Sequence, residues 1–518
     1  MSTGPEASTG PETVRGGAGG GPGGAGGAGG PADARRSPHH GKAVALAVAA
    51  AVGGFLFGFD SSVINGAVKA FTDEFGLSDA LSGFAVAVAL LGCALGAWLG
   101  GRLADRYGRT RVMFIGAVLF FVSSILSGIA FGVWDLILWR FLAGVGIGIA
   151  SVIAPAYIAE IAPAVIRGRL GSLQQLAIVI GIFAALLSDQ LLALATPGEG
   201  ADAAGELWLG LEAWRWMFIV AVVPATVYGI LALRIPESPR YLVSKGRQDE
   251  ALAVLTDVLG TREEAADRVA EIENTIRSDE HAPKASLRGP RFGLLPVVWV
   301  GILLSVFQQF VGINVIFYYS NTLWQAVGFD ESDSFTISTI TAVTNVVVTF
   351  IAIALVDKVG RRPLLLIGSA GMAVCLAVMA IAFLNSYEVP DPENAGEVLT
   401  QLPDGWGTTA LIAANAFVVF FGATWGPLVW VLLGEMFPNR IRAAALGVAA
   451  AAQWIANFLI TISFPPLLGA FGASVPYFMY ALFAALSFVF TLWRVPETKG
   501  VELEDMEGVR VQRRGQTA

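Results

Sequence analysis

The strongest constraint on this chain is a series of apolar runs that are too long for the interior of a soluble domain. Each run reaches about 20 residues, the length that a helix needs to cross the hydrocarbon core of a bilayer. The runs lie near residues 43–71, 81–104, 112–132, 136–159, 170–192, 215–235, 294–327, 335–356, 364–386, 408–434, 441–467 and 474–494. Charged residues make up only 14% of the chain, against roughly 25% in soluble proteins. The sequence therefore predicts an all-α membrane protein with twelve transmembrane helices.

The runs form two groups of six, and this arrangement divides the chain into five segments. A disordered Gly-rich tail is predicted for residues 1–42, because a segment so poor in large apolar side chains cannot form a core. Six-helix bundles are predicted for residues 43–235 and 294–495. Between them, residues 236–293 place apolar residues at helical spacing among charges, which predicts amphipathic helices, with a solvated linker as the alternative. Residues 496–518 form a second tail.

Positive charge is distributed unevenly between the two predicted sides of the membrane. All Lys and Arg residues except Lys69, Arg140 and Arg215 fall in the tails or in loops that share one side with them. Because Lys and Arg accumulate on the cytoplasmic side of bacterial membrane proteins, both termini and the central segment are predicted to be cytoplasmic. The first run is too long for a cleavable signal peptide and should remain as a helix. We therefore expect a multi-pass protein of the inner (plasma) membrane.

Several other classes of protein are disfavoured by the residue types present. Three His and two Cys residues cannot build a metal cluster or a haem site, so we expect no metal and no cofactor. No Ser-His-Asp or Cys-His set falls at one depth of the predicted spans, which argues against an enzyme, and we expect no nucleic-acid partner. Gly144, Gly146 and Gly148 imitate a nucleotide-binding loop, but they lie within a span and predict close helix packing instead.

The two groups of runs are followed by the same short motifs at matching positions, which indicates an internal duplication. The matched positions are Asp105, Gly108 and Arg109 with Asp357, Gly360 and Arg361; Glu160, Pro163 and Arg167 with Glu435, Pro438 and Arg442; and PESPR from Pro236 with PETKG from Pro496. Six-helix halves related by an axis along the membrane normal are typical of major facilitator transporters, which bind their substrate between the halves near the middle of the membrane.

At this level of detail the motifs resemble those of a known family. FLFGFDSSVINGA from Phe55, WRFLAGVGIGI, PAYIAEIAPAVIRG, PESPRYL, QQFVGINVIFYYS, WGPLVWVLLGEMFPNRIR and VPETKG are similar to the motif set of the sugar porters, over about residues 43–502. Within that family, the chain most resembles bacterial proton-coupled sugar symporters. The resemblance implies a major facilitator fold of two pseudo-symmetric six-helix bundles.

The same resemblance implies secondary active transport in which a monosaccharide, a hexose or a pentose, enters by proton symport through alternating access. The implied partners are the monosaccharide, the proton and the lipid bilayer, with the protein acting as a monomer. Two alternatives remain open. One is an uncoupled sugar facilitator. The other is a membrane sugar receptor, against which the short, featureless tails argue.

Amide and aromatic side chains within the runs are candidates for a sugar site, because ring hydroxyls need both donors and acceptors and the C–H faces need aromatic walls. Gln308, Gln309 and Asn314 can share one helix face. The resemblance implies sugar contacts at Gln175, Gln308, Gln309, Asn314, Asn345, Trp430, Gln453 and Trp454, with Phe57 and Tyr318 as further walls. The alternative is that the amides only join helices to one another, and that Trp430 is a packed core residue.

An acid within the first run is the candidate for proton coupling. A carboxylate at the centre of a membrane helix costs about 2.5 to 3.5 kcal/mol on insertion scales, so Asp60 requires a reason for its position. Arg140, at the start of the fourth run, is the candidate cation, and the resemblance implies that this pair couples proton and sugar movement. Structural pairing is the alternative. Some related symporters carry a second acid where this chain has Ala221, so coupling would depend on Asp60 alone.

The repeated charged motifs are candidates for a cytoplasmic gate. Charges of both signs at helix ends can pair across helices and between the halves. The resemblance implies that they latch the inner side closed while the protein faces outward. The residues are Asp105, Arg109, Glu160, Arg167, Asp357, Arg361, Glu435 and Arg442.

Overall fold

The computed structural model describes residues 38–163, 166–198, 200–281, 286–290, 293–390, 398–403, 405–437 and 441–497. Within these residues, twelve helical stretches are long and apolar enough to cross a membrane, which confirms the predicted number of spans. The predicted tails fall mostly outside the described residues. The first helix, however, begins at Pro38 rather than near residue 43. Proline is favoured at the first position of a helix, because its missing N–H would have no intrahelical partner there.

The helices of the first half and of the central segment follow the apolar and amphipathic patterns of the sequence. In the first half they are α1 Pro38–Glu74, α2 Asp79–Tyr107, α3 Arg109–Gly128, α4 Val133–Ile161, α5 Arg167–Leu194, α6 Ala213–Val220 and α7 Val222–Arg234. In the central segment they are α8 Pro239–Ser244, α9 Gln248–Leu259 and α10 Arg262–His281. The sixth span consists of α6 and α7.

The second half contains the remaining helices and a small β-hairpin. Its elements are α11 Pro296–Phe310, α12 Ile313–Tyr318, α13 Ser320–Ala326, α14 Glu331–Val359, α15 Arg361–Leu384, β1 Tyr387–Pro390, β2 Val398–Gln401, α16 Trp406–Ala423, α17 Trp425–Met436, α18 Arg442–Phe471 and α19 Ser474–Arg494. The two strands pair antiparallel. We call the membrane side that holds the start of α1 and the end of α19 the termini side, and the opposite side the far side.

Two of the predicted continuous spans are broken in the structure. The run near 294–327 divides into α11, α12 and α13, and the run near 408–434 divides into α16 and α17 at Thr424. Gly312 lies between α11 and α12 with a φ of 80°, a left-handed conformation that glycine adopts without steric cost. Both breaks therefore place helix ends within the membrane-spanning part of the second half.

Glycine allows the helices of the first half to pack closely. A side chain at Gly144 of α4 would place its Cβ 2.0 Å from the carbonyl oxygen of Ala89 in α2, and one at Gly148 would be 2.2 Å from that of Cys93. Gly146 approaches Gly116 of α3 in a similar way. The predicted packing role of these glycines is confirmed.

The two halves meet along α2 with α18 and along α5 with α14. On the far side, Asn65 of α1 donates to Ser338 Oγ of α14 at 3.4 Å and accepts from the backbone N–H of Asn321 at 3.0 Å. Gln190 of α5 donates to Thr336 at 3.0 Å and accepts from Thr339 at 2.8 Å. These hydrogen bonds, which we call the far-side seam, hold the far ends of the halves together.

Candidate functional site

A buried ion pair between α1 and α4 forms the centre of the site. Arg140 Nη1 donates to Asp60 Oδ1 at 2.6 Å, and the two residues are 2% and 4% exposed. The guanidinium also lies 5.5 Å from the centre of the Phe218 ring. Two charges that have been removed from water depend strongly on each other, because the loss of either leaves the other without compensation. A proton on Asp60 would therefore weaken its hold on Arg140.

A small cavity lies beside this pair. Its volume is about 10 Å³, and its lining includes Phe57, Ser61 and Tyr318 together with Asp60 and Arg140. Such a volume is close to the minimum for one water molecule. Tyr318 belongs to the second half, so the cavity lies where the two halves meet.

Aromatic and amide side chains of the second half continue from this cavity. Phe57 meets the Trp454 ring edge to face with centroids 5.6 Å apart, and the Tyr318 hydroxyl hydrogen-bonds the Asn457 side chain. Gln453 lies one helical turn before Asn457, and its buried Oε1 has no hydrogen-bond partner among the described residues. Asn457 was missed by the sequence analysis, although its spacing of four residues from Gln453 places it on the same helix face.

The amides of the seventh span form a chain of hydrogen bonds. Gln308 Nε2 donates to the carbonyl oxygens of Trp425 and Gly426 at 3.0 and 3.1 Å, where the tenth span is broken. Gln309 donates to Gln308 at 3.5 Å, and Asn314 donates to Gln309 at 2.5 Å. The structure thus brings these three amides together. Gln308 serves the fold, since it joins the seventh span to the start of α17, whereas Asn314 is only half-buried.

Other predicted site residues lie apart from these contacts. Asn345 is buried beside Gly422, and Gln175 is half-buried on α5. Trp430 is 43% exposed rather than a fully packed core residue. None of the described contacts joins Gln175, Asn345 or Trp430 to the ion pair or to the amide chain, and their contact with a sugar stays a prediction.

On the termini side, the charged motif of the first half forms a compact cluster. Arg109 makes two hydrogen bonds to Glu160, at 3.1 and 2.9 Å, and lies 3.3 Å from Asp105. Ser238 donates to the same Glu160 carboxylate. Glu237 accepts from the backbone N–H of Arg109 at 2.8 Å and so caps the start of α3.

The second half repeats this cluster. Arg361 makes two hydrogen bonds to Glu435, at 3.2 and 2.9 Å, and Glu497 accepts from the backbone N–H of Arg361 at 3.0 Å. The side chains of Arg167, Asp357 and Arg442 lie outside the described part of the chain. The Arg–Glu pairs described above join helices of one half, so the predicted pairing between halves is not seen in them. The capping role of Glu237 and Glu497 was missed, although PESPR and PETKG mark both positions.

Comparisons with known proteins agree with this architecture. The family model described as "Sugar (and other) transporter" matches residues 46–509. A glucose transport protein of Synechocystis sp. is 53% identical over 459 residues, which cover 88% of this chain and 95% of that protein. The D-xylose-proton symporter of Escherichia coli is 36% identical and covers 90% of this chain and 95% of its own length.

A solved structure of a related transporter has the same fold. The inward-open conformation of the xylose transporter XylE from E. coli superposes with a TM-score of 0.74 at 35% identity, covering 90% of this chain and 99% of that chain. The fold class expected from the sequence is therefore confirmed. With twelve spans, repeated charged clusters and these relatives, the chain belongs to the sugar porter family of the major facilitator superfamily and is a multi-pass sugar transporter of the plasma membrane.

Proposed function

We propose that the protein imports a monosaccharide together with a proton through alternating access. The far side faces the exterior, and both termini and the central segment are cytoplasmic. The clustering of Lys and Arg on the termini side supports this orientation. The far-side seam supports it too, since a structure with its outer side closed is expected to resemble the inward-open relative.

The observation that carries the proposal is the position of the Asp60–Arg140 pair. Asp60 lies one turn from Phe57 on α1, and Phe57 contacts Trp454 across the boundary between the halves. Tyr318 lines the same cavity as the ion pair and hydrogen-bonds Asn457. A change in the charge of Asp60 therefore acts on side chains that also form the walls of the candidate sugar site.

The sugar is held between the halves in this proposal. Gln453 offers an acceptor that has no protein partner, and Asn314 offers a half-buried amide. Phe57, Tyr318 and Trp454 supply aromatic walls for the C–H faces of the ring. Binding that engages both halves favours an occluded state over either open state, as any ligand favours the conformation it contacts best.

The proton supplies the driving force. With the outer side open, Asp60 takes up a proton and loosens its bond to Arg140, which allows the halves to rearrange around the sugar. Release of the proton to the cytoplasm restores the pair. A membrane potential contributes about 2.3 kcal/mol per charge per 100 mV, which corresponds to roughly fiftyfold accumulation for one proton per sugar.

D-glucose is the first sugar to test. The glucose transport protein of Synechocystis sp. shares more of its sequence with this chain than the E. coli D-xylose-proton symporter does. D-xylose is the second, since a pentose differs from glucose by one CH2OH group. We propose that the monomer is the transporting unit, because the candidate site is built from the two halves of one chain.

The proposal is tested by transport in proteoliposomes with labelled D-glucose and D-xylose. Asp60→Asn keeps the size of the side chain and its hydrogen-bonding oxygen but cannot titrate. We expect this variant to retain counterflow exchange and to lose uphill accumulation driven by a pH gradient. Asp73→Asn, at an exposed carboxylate on the same helix, serves as the control and should behave like the wild type.

Two results would contradict the proposal. Equal accumulation by the wild type and by Asp60→Asn would remove the coupling role and leave an uncoupled facilitator. Sugar binding without counterflow in the wild type would favour a receptor.

A further inference from the structure

A second carboxylic acid, Asp189, is buried in the membrane-spanning part of the first half. It lies on α5, and none of its surface is exposed. Its Oδ2 accepts from the backbone N–H of Gly66 on α1 at 3.2 Å, and its Oδ1 has no hydrogen-bond partner within the part of the chain that the structure describes. The mechanism proposed above does not use this residue.

The fit between Asp189 and α1 depends on a glycine. A Cβ at position 66 would lie 2.9 Å from both Cβ and Cγ of Asp189 and 2.7 Å from the sulfur of Met217. The carboxyl group therefore packs against the backbone of α1, and a larger residue at position 66 would force the side chains of Asp189 and Met217 to shift. This close contact leaves no room for water between the two helices at this point.

The charged groups on the neighbouring helices have other partners. Asp60 of α1 is bound by Arg140 of α4, Lys69 of α1 lies near Asp73, Arg215 of α6 is bound by Glu74 and Glu212, and Glu331 of α14 accepts from Ala203. The remaining acids near the far ends are Asp135 of α4, which accepts from Trp139, and the exposed Asp333 of α14. None of these groups forms a described ion pair or hydrogen bond with Asp189.

A carboxylate in this position would be too costly to maintain. One backbone N–H and no cation cannot replace the hydration that an ionised group loses on burial. Asp189 is therefore neutral, and carries a proton, while it is enclosed as in this structure.

The Asp189–Gly66 contact lies directly behind the far-side seam. Gln190, the next residue on α5, and Asn65, the residue before Gly66 on α1, both bind the second half across the seam. Successive helical residues are only 1.5 Å apart along the axis. Opening of the seam frees Gln190 and Asn65, the chain neighbours of Asp189 and Gly66, from the second half.

We propose that Asp189 is a second protonation site, whose proton uptake from the far side accompanies closure of that side. In the open state the carboxyl group is wet and ionised at neutral pH. In the closed state it is dry and protonated, so closure takes up one proton and reopening returns it to the same side. Asp189 is thus a positioning residue that makes closure respond to pH on the far side, separately from the coupling role of Asp60.

This inference depends on the alternating opening in the proposed function but not on coupling at Asp60. Its test therefore uses the full chain carrying Asp60→Asn, so that titration of Asp60 cannot contribute. Ala80→Cys at the start of α2 and Ala470→Cys near the end of α18 place spin labels at exposed positions on opposite halves. Cys93 and Cys375 are buried and are left in place, and a chain without the new cysteines gives the background labelling.

The distance between the labels is measured in lipid nanodiscs from pH 5 to 9 without sugar. We expect the population with the short distance, in which the far side is closed, to grow as the pH falls. One proton taken up on closure changes the ratio of closed to open molecules by up to about tenfold per pH unit. Adding Asp189→Asn, which keeps an oxygen for the Gly66 N–H, should make the ratio independent of pH.

Two further variants make the result decisive. Asp189→Ser cannot titrate either and replaces Asp189→Asn if that variant does not fold. Asp73→Asn, at an exposed carboxylate near the same end of α1, should retain the pH dependence of the parent. A parent chain with no pH dependence, or a pH dependence that persists in the Asp189 variants, would overturn the proposal. A failure of Asp60→Asn to lose accumulation would instead contradict the coupling role and leave this result intact.

Discussion

Asp60 and Arg140 form an ion pair in a part of the molecule where a charge without its partner is costly. Their hydrogen bond of 2.6 Å joins two groups that are almost entirely removed from water. Burial of such a pair gains little net stability, but the loss of one partner is expensive. The pair is therefore suited to a switch in which the charge of one member changes.

Replacement of one partner should destabilise the protein more than replacement of both. Arg140→Gln leaves Asp60 without a cation, and we expect it to lower the free energy of unfolding by about 3 to 5 kcal/mol. The double variant Asp60→Asn/Arg140→Gln should recover at least half of this loss. Thermal unfolding in detergent is compared for the wild type, the two single variants and the double variant. Purely additive effects of the two substitutions would show that the pair is not coupled.

Loss of a single amide should weaken sugar binding without unfolding the protein. Gln453→Ala removes an acceptor that has no protein partner, and Asn314→Ala removes a half-buried amide. Each lost hydrogen bond corresponds to about 0.5 to 1.5 kcal/mol, which raises the Kd for D-glucose roughly twofold to thirteenfold. Calorimetric titration measures the change. Gln248→Ala, on the exposed surface of α9, is the control, and unchanged binding in the first two variants would return these amides to a purely structural role.

Sequence alone indicated those residues whose chemistry contrasts with their surroundings. Asp60 and Arg140 stand out because the apolar runs contain so few charges. Asp189 and Gln190 did not, since they lie near the end of a run where polar residues are ordinary. What distinguishes Asp189 from an ordinary polar residue at a solvated helix end is its contact with Gly66, which is 123 residues away in the chain.

At the scale of helices, close approach depends on positions without a side chain. α2 and α4 are pressed together where Gly144 and Gly148 face the carbonyl oxygens of Ala89 and Cys93. The sequence predicted this packing because the glycines lie within a membrane span. It did not predict the breaks at Gly312 and Thr424, since a single glycine or threonine within an apolar run is compatible with a continuous helix.

A methyl group at the packed glycine should separate the two helices. Gly144→Ala places a Cβ 2.0 Å from a backbone oxygen, a contact that no rotamer change can relieve, and overpacking of this kind costs about 1 to 3 kcal/mol. Gly101→Ala, on α2 where the added Cβ would meet no described atom of another helix within 4 Å, should be neutral or slightly stabilising. Thermal unfolding of the two variants side by side tests this expectation, and equal melting temperatures would contradict the close packing of α2 on α4.

At the scale of the whole molecule, the duplication of the chain could be read from three repeated motifs. The structure gives the repeat a physical role, since Glu237 and Glu497 cap α3 and α15 in the same way and Arg109 and Arg361 bind equivalent glutamates. Which side of the protein is closed in this structure could not be predicted, because the outward-facing and inward-facing conformations have the same sequence. The far-side seam depends on pairs such as Asn65 with Asn321, whose partners are distant along the chain.

The movement of protons with sugar tests the central claim most directly. Labelled D-glucose is added to the external medium of lightly buffered proteoliposomes that have neither a pH gradient nor a membrane potential. The external pH is recorded while the entry of the labelled sugar is measured. We predict that the external medium becomes more alkaline as sugar enters through the wild type, and that Asp60→Asn exchanges sugar with no such change. Sugar entry through the wild type at constant pH, or an equal alkaline shift in Asp60→Asn, would contradict the proton symport proposed here.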